Sequence, residues 1–513
     1  MTDKPEITAA TIAAGYEVIG EALELGAVVL DGVADPDAPV RIPLATLNRH
    51  ALVAGATGTG KTKTLQVMAE QLSAAGVPVV MADVKSDLSG LSAAGEPDDA
   101  VLNRAADTGD EDWTPTGHPV AFYSLGTDGV GIPVRATVTS FGPILLSKVL
   151  GLNATQESTL ALIFHWADRH GLPLLDLADL RQVIRHLTSD EGRDALDDLG
   201  AVSPATAGVI LRAVANLENA GGDGFFGEPE LEVEDLLRVI DGQGTINLFE
   251  FGDEAPRPAL FSTFLMWLLA DLFQSLPEVG DVDTPRLVFF FDEAHLLFTD
   301  ASKAFLQQIE QTVKLIRSKG VGVVFCTQSP TDIPRSVLSQ LGARIQHALR
   351  AFTPEDEAAL AKVVRTFPKT DAYDLADALT GLGTGEAIVT VLSELGAPTP
   401  VAWTRLRPPR SLMGTVGESA MRASAQANPL YGKYGRTIDR ESAYEKLTAS
   451  VVGATDVEPI PDMPSQAPDD AGASVVEQVL GSEAVRSFIR SAASAAGREI
   501  GRSLFGTGRR RRR

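Results

Sequence analysis

Residues 49–62 read Arg49-His50-Ala51-Leu52-Val53-Ala54-Gly55-Ala56-Thr57-Gly58-Thr59-Gly60-Lys61-Thr62. The apolar run that ends at Gly55 lacks polar–apolar alternation, as expected of a parallel strand buried on both faces. Gly55 to Thr62 fits the pattern GxxxxGK[ST]. A helical pattern over Lys61 to Ala75 follows, then a second apolar run, Val77 to Ala82. Strand, loop, helix and strand make a βαβ unit at the head of an α/β domain. In that setting the glycines let backbone N–H groups turn inward around phosphates, and the helix N-terminus adds positive potential. Lys61 then reaches toward β- and γ-phosphates, and the Thr62 hydroxyl toward Mg²⁺. Gly55, Thr57, Gly58, Thr59, Gly60, Lys61, Thr62 and Lys63 are the candidate nucleotide-binding residues, with ATP and Mg²⁺ as the expected ligands.

A matching acidic motif lies far downstream. Leu287 to Phe291 is an apolar strand that runs into Asp292-Glu293. A carboxylate at the carboxyl edge of such a sheet sits beside the phosphate loop, so Asp292 joins Thr62 as a metal candidate. Glu293 is the candidate general base for the attacking water. The next strand, Val321 to Cys326, ends in Thr327-Gln328-Ser329-Pro330, which makes Gln328 a candidate sensor of the terminal phosphate. An Asp-Glu pair also serves as a helix cap and a Gln before proline as a turn; the phosphate loop tips both readings toward chemistry. Asp83, Lys85 and Asp87 follow the second strand and suit a metal shell, a pore lining or a capped turn. Arg405, Arg407 and Arg410 are weaker candidates for bracing a nucleotide. The Gly381, Gly383, Gly385 run reads as a turn, and Cys326 as a packed strand residue.

The chain has 513 residues, roughly three domains at about 150 each. Its 44% hydrophobic and 22% charged content allows a substantial core and excludes wholesale disorder. A net charge of −24 excludes a protein that coats nucleic acid with overall positive charge. One cysteine forbids an intrachain disulfide and suits a reducing compartment. No apolar signal core follows the first residues and no segment is long enough to span a membrane, so a cytoplasmic location is expected. A short N-terminal segment (1–50) precedes the first part of the core (51–134). Leucine and alanine at helical spacing mark an all-helical insertion (135–245), and strands return in the second part of the core (246–410). A helical extension (411–452), a disordered linker (453–474) and an amphipathic helix ending in five arginines (475–513) complete the chain.

Taken together, GATGTGKT, MADVKSDLSG, GGDGFFGEPEL, FFFDEAHLLF, CTQSPTDIP and YGKYGRTIDRESAYEKL resemble the HerA-like bacterial P-loop ATPases of the HerA/FtsK superfamily. The resemblance spans nearly the whole chain. It implies a RecA-like, mostly parallel α/β core, assembly into a homo-hexameric ring, and DNA as the polymer moved. It also implies that Arg317 reaches a neighbouring subunit's nucleotide, with Arg344 as a second candidate. The chain departs from HerA helicases in having too few residues before the phosphate strand for their N-terminal β-barrel.

Two functions follow. The first is an ATP-hydrolysing ring motor acting on double-stranded DNA. The alternative is a nucleotide-gated assembly or scaffold ATPase with slow, nucleic-acid-independent hydrolysis, which the acidic balance suits. The C-terminal helix is expected to dock on a neighbouring subunit; an anionic membrane surface and nucleic acid are the other readings.

Overall fold

The computed structural model describes residues 7–453, apart from 84–86, 127–128, 191, 193–201, 251–257, 281, 300 and 394–395. Residues 454–474 of the expected linker, the C-terminal amphipathic helix and Lys85 lie outside the described residues.

Fourteen strands are described: β1 Ala22–Leu30, β2 Val33–Pro43, β3 Ala51–Ala54, β4 Val79–Asp83, β5 Val120–Leu125, β6 Ile132–Val134, β7 Val239–Ile240, β8 Gln243–Gly244, β9 Ile246–Glu250, β10 Leu287–Phe291, β11 Val321–Thr327, β12 Ala343–Gln346, β13 Glu386–Val391 and β14 Ala402–Leu406. Twelve form one sheet in the order β2-β1-β14-β13-β12-β3-β11-β10-β4-β9-β5-β6, while β7 and β8 pair separately. From β12 to β6 every neighbouring pair is parallel; β13, β14, β1 and β2 extend the sheet antiparallel.

The central strands are apolar throughout because both faces are covered. Leu287, Phe289 and Phe291 of β10 point into one core, and Val288 and Phe290 into the other. The same alternation sends Leu52 and Ala54 one way and Ala51 and Val53 the other. The first core also takes the apolar faces of helices Val138–Val149, Ala154–Arg169, Leu177–Thr188 and Pro204–Asn219. These helices therefore share a core with the sheet. The second core takes the helix Lys61–Ala74 and the β1–β2 hairpin. Residues up to Val452 make one compact unit. No helix among the described residues is long and apolar enough to cross a membrane.

The N-terminal hairpin differs from the sequence pattern, which suggests only a strand over Ala27 to Leu30 and another around Val40 to Leu44. Both strands are longer, and β1 pairs with β14. The signal was present: Asp31-Gly32, with φ of 52° and 80°, is the two-residue turn that closes a tight hairpin.

At the start of β3, His50 joins three elements. Its Nε2–H donates to the Val313 carbonyl at 2.7 Å, and its Nδ1 accepts from the Val323 N–H at 3.1 Å. Only the neutral ring makes both bonds. Burial lowers its pKa to about 4, and Arg317 adds to the effect. Below about pH 6.5 the unfolded chain binds a proton here that the folded chain refuses until about pH 4, so this residue's contribution falls as the solution is acidified. His50→Ala should cost about 2 kcal/mol or more at pH 7 by orphaning two buried backbone groups. The gap from wild type in urea unfolding should narrow between about pH 6.5 and pH 4; a gap independent of pH would contradict the neutral-ring assignment.

Candidate functional site

Three strand ends, the exits of β11 and β12 and the start of β13, hold the loop that follows β3. The Gly55 N–H donates to the Thr327 carbonyl, the Ala56 N–H to the Ala348 carbonyl, and the Gly385 N–H to the Thr59 carbonyl. Gly55, Gly58 and Gly60 have φ of 153°, 79° and 111°. A Cβ on Gly55 would lie 2.5 Å from the His347 Cβ, so the close approach demands glycine there. Thr57 and Gly58 form the exposed tip. Lys61 Nζ folds back across the loop to the carbonyl oxygens of Gly55, at 2.7 Å, and Ala56, at 3.1 Å. Thr62 is half-buried in the first turn of the helix.

Asp292 leaves β10 level with Cys326, because Phe291 pairs with Phe325. Its Oδ1 accepts the Glu293 N–H at 2.9 Å. Glu293 has φ of 46°, in the left-handed region that costs a side-chain-bearing residue about 1–2 kcal/mol. His295 Nδ1 lies 3.4 Å from Glu293 Oε2. Burial raises the pKa of the Cys326 thiol, Asp292 and Glu293 raise it further, and Lys61 lowers it. Because β3, β11 and β10 are neighbouring parallel strands, the phosphate loop and the Asp292-Glu293 pair leave the sheet at the same edge. Gln328 follows β11 in an exposed position at the same edge.

Residues 29–513 match the family described as "Helicase HerA-like C-terminal". The chain belongs to that family. No curated protein matches it. Among solved structures, the plasmid coupling protein TrwB in complex with ADP and Mg²⁺ aligns with a TM-score of 0.53 at 16% identity, covering 80% of this chain and 96% of that one. TrwB in complex with a non-hydrolysable ATP analogue gives 0.52 at 15% identity, with the same coverage. At such identities the likeness is one of fold: a mostly parallel RecA-like sheet with helices on both faces.

Other candidates in this HerA-like chain lie elsewhere. Lys63 Nζ turns along its helix to Gln66 Oε1 at 3.1 Å. Burial lowers its pKa, against the opposing pull of Asp87 and Asp83. Asp83 accepts the N–H groups of Asp87 and Leu88, so it caps a turn. Arg317 occupies the turn before β11, one seven-residue strand from the loop edge, roughly 20 Å. Arg344 lies within β12 and donates to the Thr366 carbonyl at 3.2 Å. Neither is brought to the phosphate loop of its own chain. Arg405, Arg407 and Arg410 are engaged by acidic partners, Glu386 with Asp107, Glu24, and Asp110 respectively.

Two neighbours of the loop, His347 and Arg350, escaped the sequence reading; a third, Gly385, lies in the turn expected there. His347 Nε2 bonds the Thr64 hydroxyl at 2.9 Å, and burial, followed by Lys61, lowers its pKa to about 4. Arg350 Nη2 donates to the Thr57 carbonyl at 3.4 Å. Gly385 packs against Gly60. The available signal was the strand Ala343–Gln346: a strand beside β3 in a parallel sheet delivers its next residues to the same edge.

The backbone at Glu293 is directly testable. Glu293→Gly should be more stable than Glu293→Ala by about 1 kcal/mol in urea unfolding, because glycine alone adopts this φ without steric penalty. The reverse order would show that the left-handed conformation is absent in solution.

Proposed function

We propose that this HerA-like chain is an ATP-hydrolysing motor that works as a homo-hexameric ring and moves along double-stranded DNA. The observation that carries the hydrolytic reading is that the loop bearing Lys61 and the Asp292-Glu293 pair leave β3 and β10 at the same edge of the sheet, on either side of β11. The residues fit a magnesium nucleotide. The Lys61 ammonium group is bonded to neutral carbonyls, which a phosphate outcompetes. Among the described residues no cluster of His, Cys, Asp and Glu holds a metal by itself, so Thr62 and Asp292 would share the ion with phosphate oxygens. Bound Mg²⁺ supplies charge neutralisation to those oxygens.

The loop amides and Lys61 hold and orient the phosphates. Glu293 accepts a proton from the attacking water and fixes its direction. Gln328, exposed one residue beyond Thr327, reports on the terminal phosphate. Arg317 stands at the opposite edge of its own sheet, a position that favours action on a neighbouring copy. DNA and the ring rest on family membership. The −24 net charge favours the second reading, a nucleotide-gated scaffold.

Lys61→Ala should abolish nucleotide binding, whereas Glu293→Gln should bind normally and hydrolyse at least about 10²-fold more slowly. Wild-type turnover in Glu293→Gln would remove the base assignment. Double-stranded DNA should stimulate wild-type hydrolysis, and the stimulation should fade with added salt as phosphate contacts are screened. Hydrolysis indifferent to DNA at every salt concentration would favour the scaffold.

A further inference from the structure

Phe352 is 83% exposed, more than any other aromatic side chain among the described residues. Its backbone is nevertheless fixed. It precedes the N-cap of the helix Pro354–Val364, where its N–H donates to Asp356 Oδ2 at 3.1 Å and Thr353 and Asp356 close a reciprocal capping box. An apolar residue in that position commonly packs on the fourth residue of the helix. Here the fourth residue is the charged Glu357, which gives the ring no apolar surface to cover. A capped backbone therefore presents a bare aromatic ring to solvent.

Arg350 locates that ring in the fold. Its guanidinium group donates to the Thr57 carbonyl at the exposed tip of the phosphate loop. Phe352 is two residues further on, and two residues of extended chain span at most about 7 Å. The exposed ring thus stands on the short segment that Arg350 ties to the loop tip. A ligand whose phosphates enter the loop carries a flat aromatic base at its other end, and such a base has a π-face whatever its edge groups.

Resting on the nucleotide reading above, we infer that Phe352 is the platform on which the nucleobase stacks, with Arg350 linking the platform to the phosphate loop. A phenyl ring offers no hydrogen bond to the base edge, so this subsite accepts purines without distinguishing adenine from guanine.

Calorimetric titration of ATP, GTP and inorganic tripolyphosphate into wild type, Phe352→Ala and Phe352→Trp separates the base from the phosphates. Phe352→Ala should weaken ATP and GTP by about tenfold or more and leave tripolyphosphate unchanged, and Phe352→Trp should restore both nucleotides. Unchanged ATP affinity in Phe352→Ala would overturn the inference while leaving the phosphate site intact. Equal loss of ATP and tripolyphosphate, with a smaller particle in light scattering, would make the ring a contact between copies and also overturn it. Wild type binding neither ATP nor tripolyphosphate would remove the phosphate site itself, and the platform with it.

Discussion

The close approach of Gly55 to His347 is the constraint on which the edge of this sheet depends. β3 lies between β11 and β12 in matched register, so Ala54 is level with both Thr327 and Gln346. The next residue of each strand emerges at the same height: Gly55, Gln328 and His347. With no room for a Cβ between Gly55 and His347, the chain leaving β3 passes close against the end of β12, where the Ala56 amide donates to the Ala348 carbonyl. β10 adds the acidic side by the same geometry, since pairing of Phe291 with Phe325 sets Asp292 beside Cys326. Ladder register thus converts four separate stretches of sequence into one site.

One strained backbone residue and one buried neutral histidine accompany that assembly. Glu293 holds a left-handed backbone, and His347 stays neutral beneath a loop that already contains Lys61. Each has a local compensation. Asp292 accepts the Glu293 amide, while the Ala294 amide bonds the Cys326 carbonyl, so the turn is pinned on both sides of the strained residue. The neutral His347 ring bonds Thr64, in the helix that Lys61 begins. The neutral His347 adds no charge beneath the loop, where Lys61 is bonded to the Gly55 and Ala56 carbonyls.

The parts of this arrangement that could be read from sequence were those encoded locally. A continuous apolar run such as Leu287–Phe291, short and followed by Asp292-Glu293, fits a parallel strand covered on both faces, which carries no polar alternation. The phosphate loop is equally local, with its glycines and lysine at fixed spacing. What escaped depended on partners distant in the chain. His347 and Arg350 carry no motif, and they matter only because β12 happens to flank β3. The β1–β2 hairpin announced itself at Asp31-Gly32, but the pairing with β14 that places it on the sheet is long-range. The helices between Val138 and Asn219 read correctly as helices. That their leucines would merge with Phe289 and Phe291 in one core was not written in their periodicity.

The arrangement of positive charge follows a consistent pattern. Arg405, Arg407 and Arg410 are held in ion pairs with acidic side chains. Arg350 stays exposed at the loop tip, and Arg317 sits at the far edge of the sheet. On the proposed reading, this separation divides the work. Lys61 and Arg350 serve the phosphates of their own chain, while Arg317 lies too far along β11 to do so. A cation held one strand length from its own loop can act on chemistry only where another copy brings a phosphate loop to it. On that reading, placement of Arg317 before β11 would couple the rate at one loop to the docking of the next subunit.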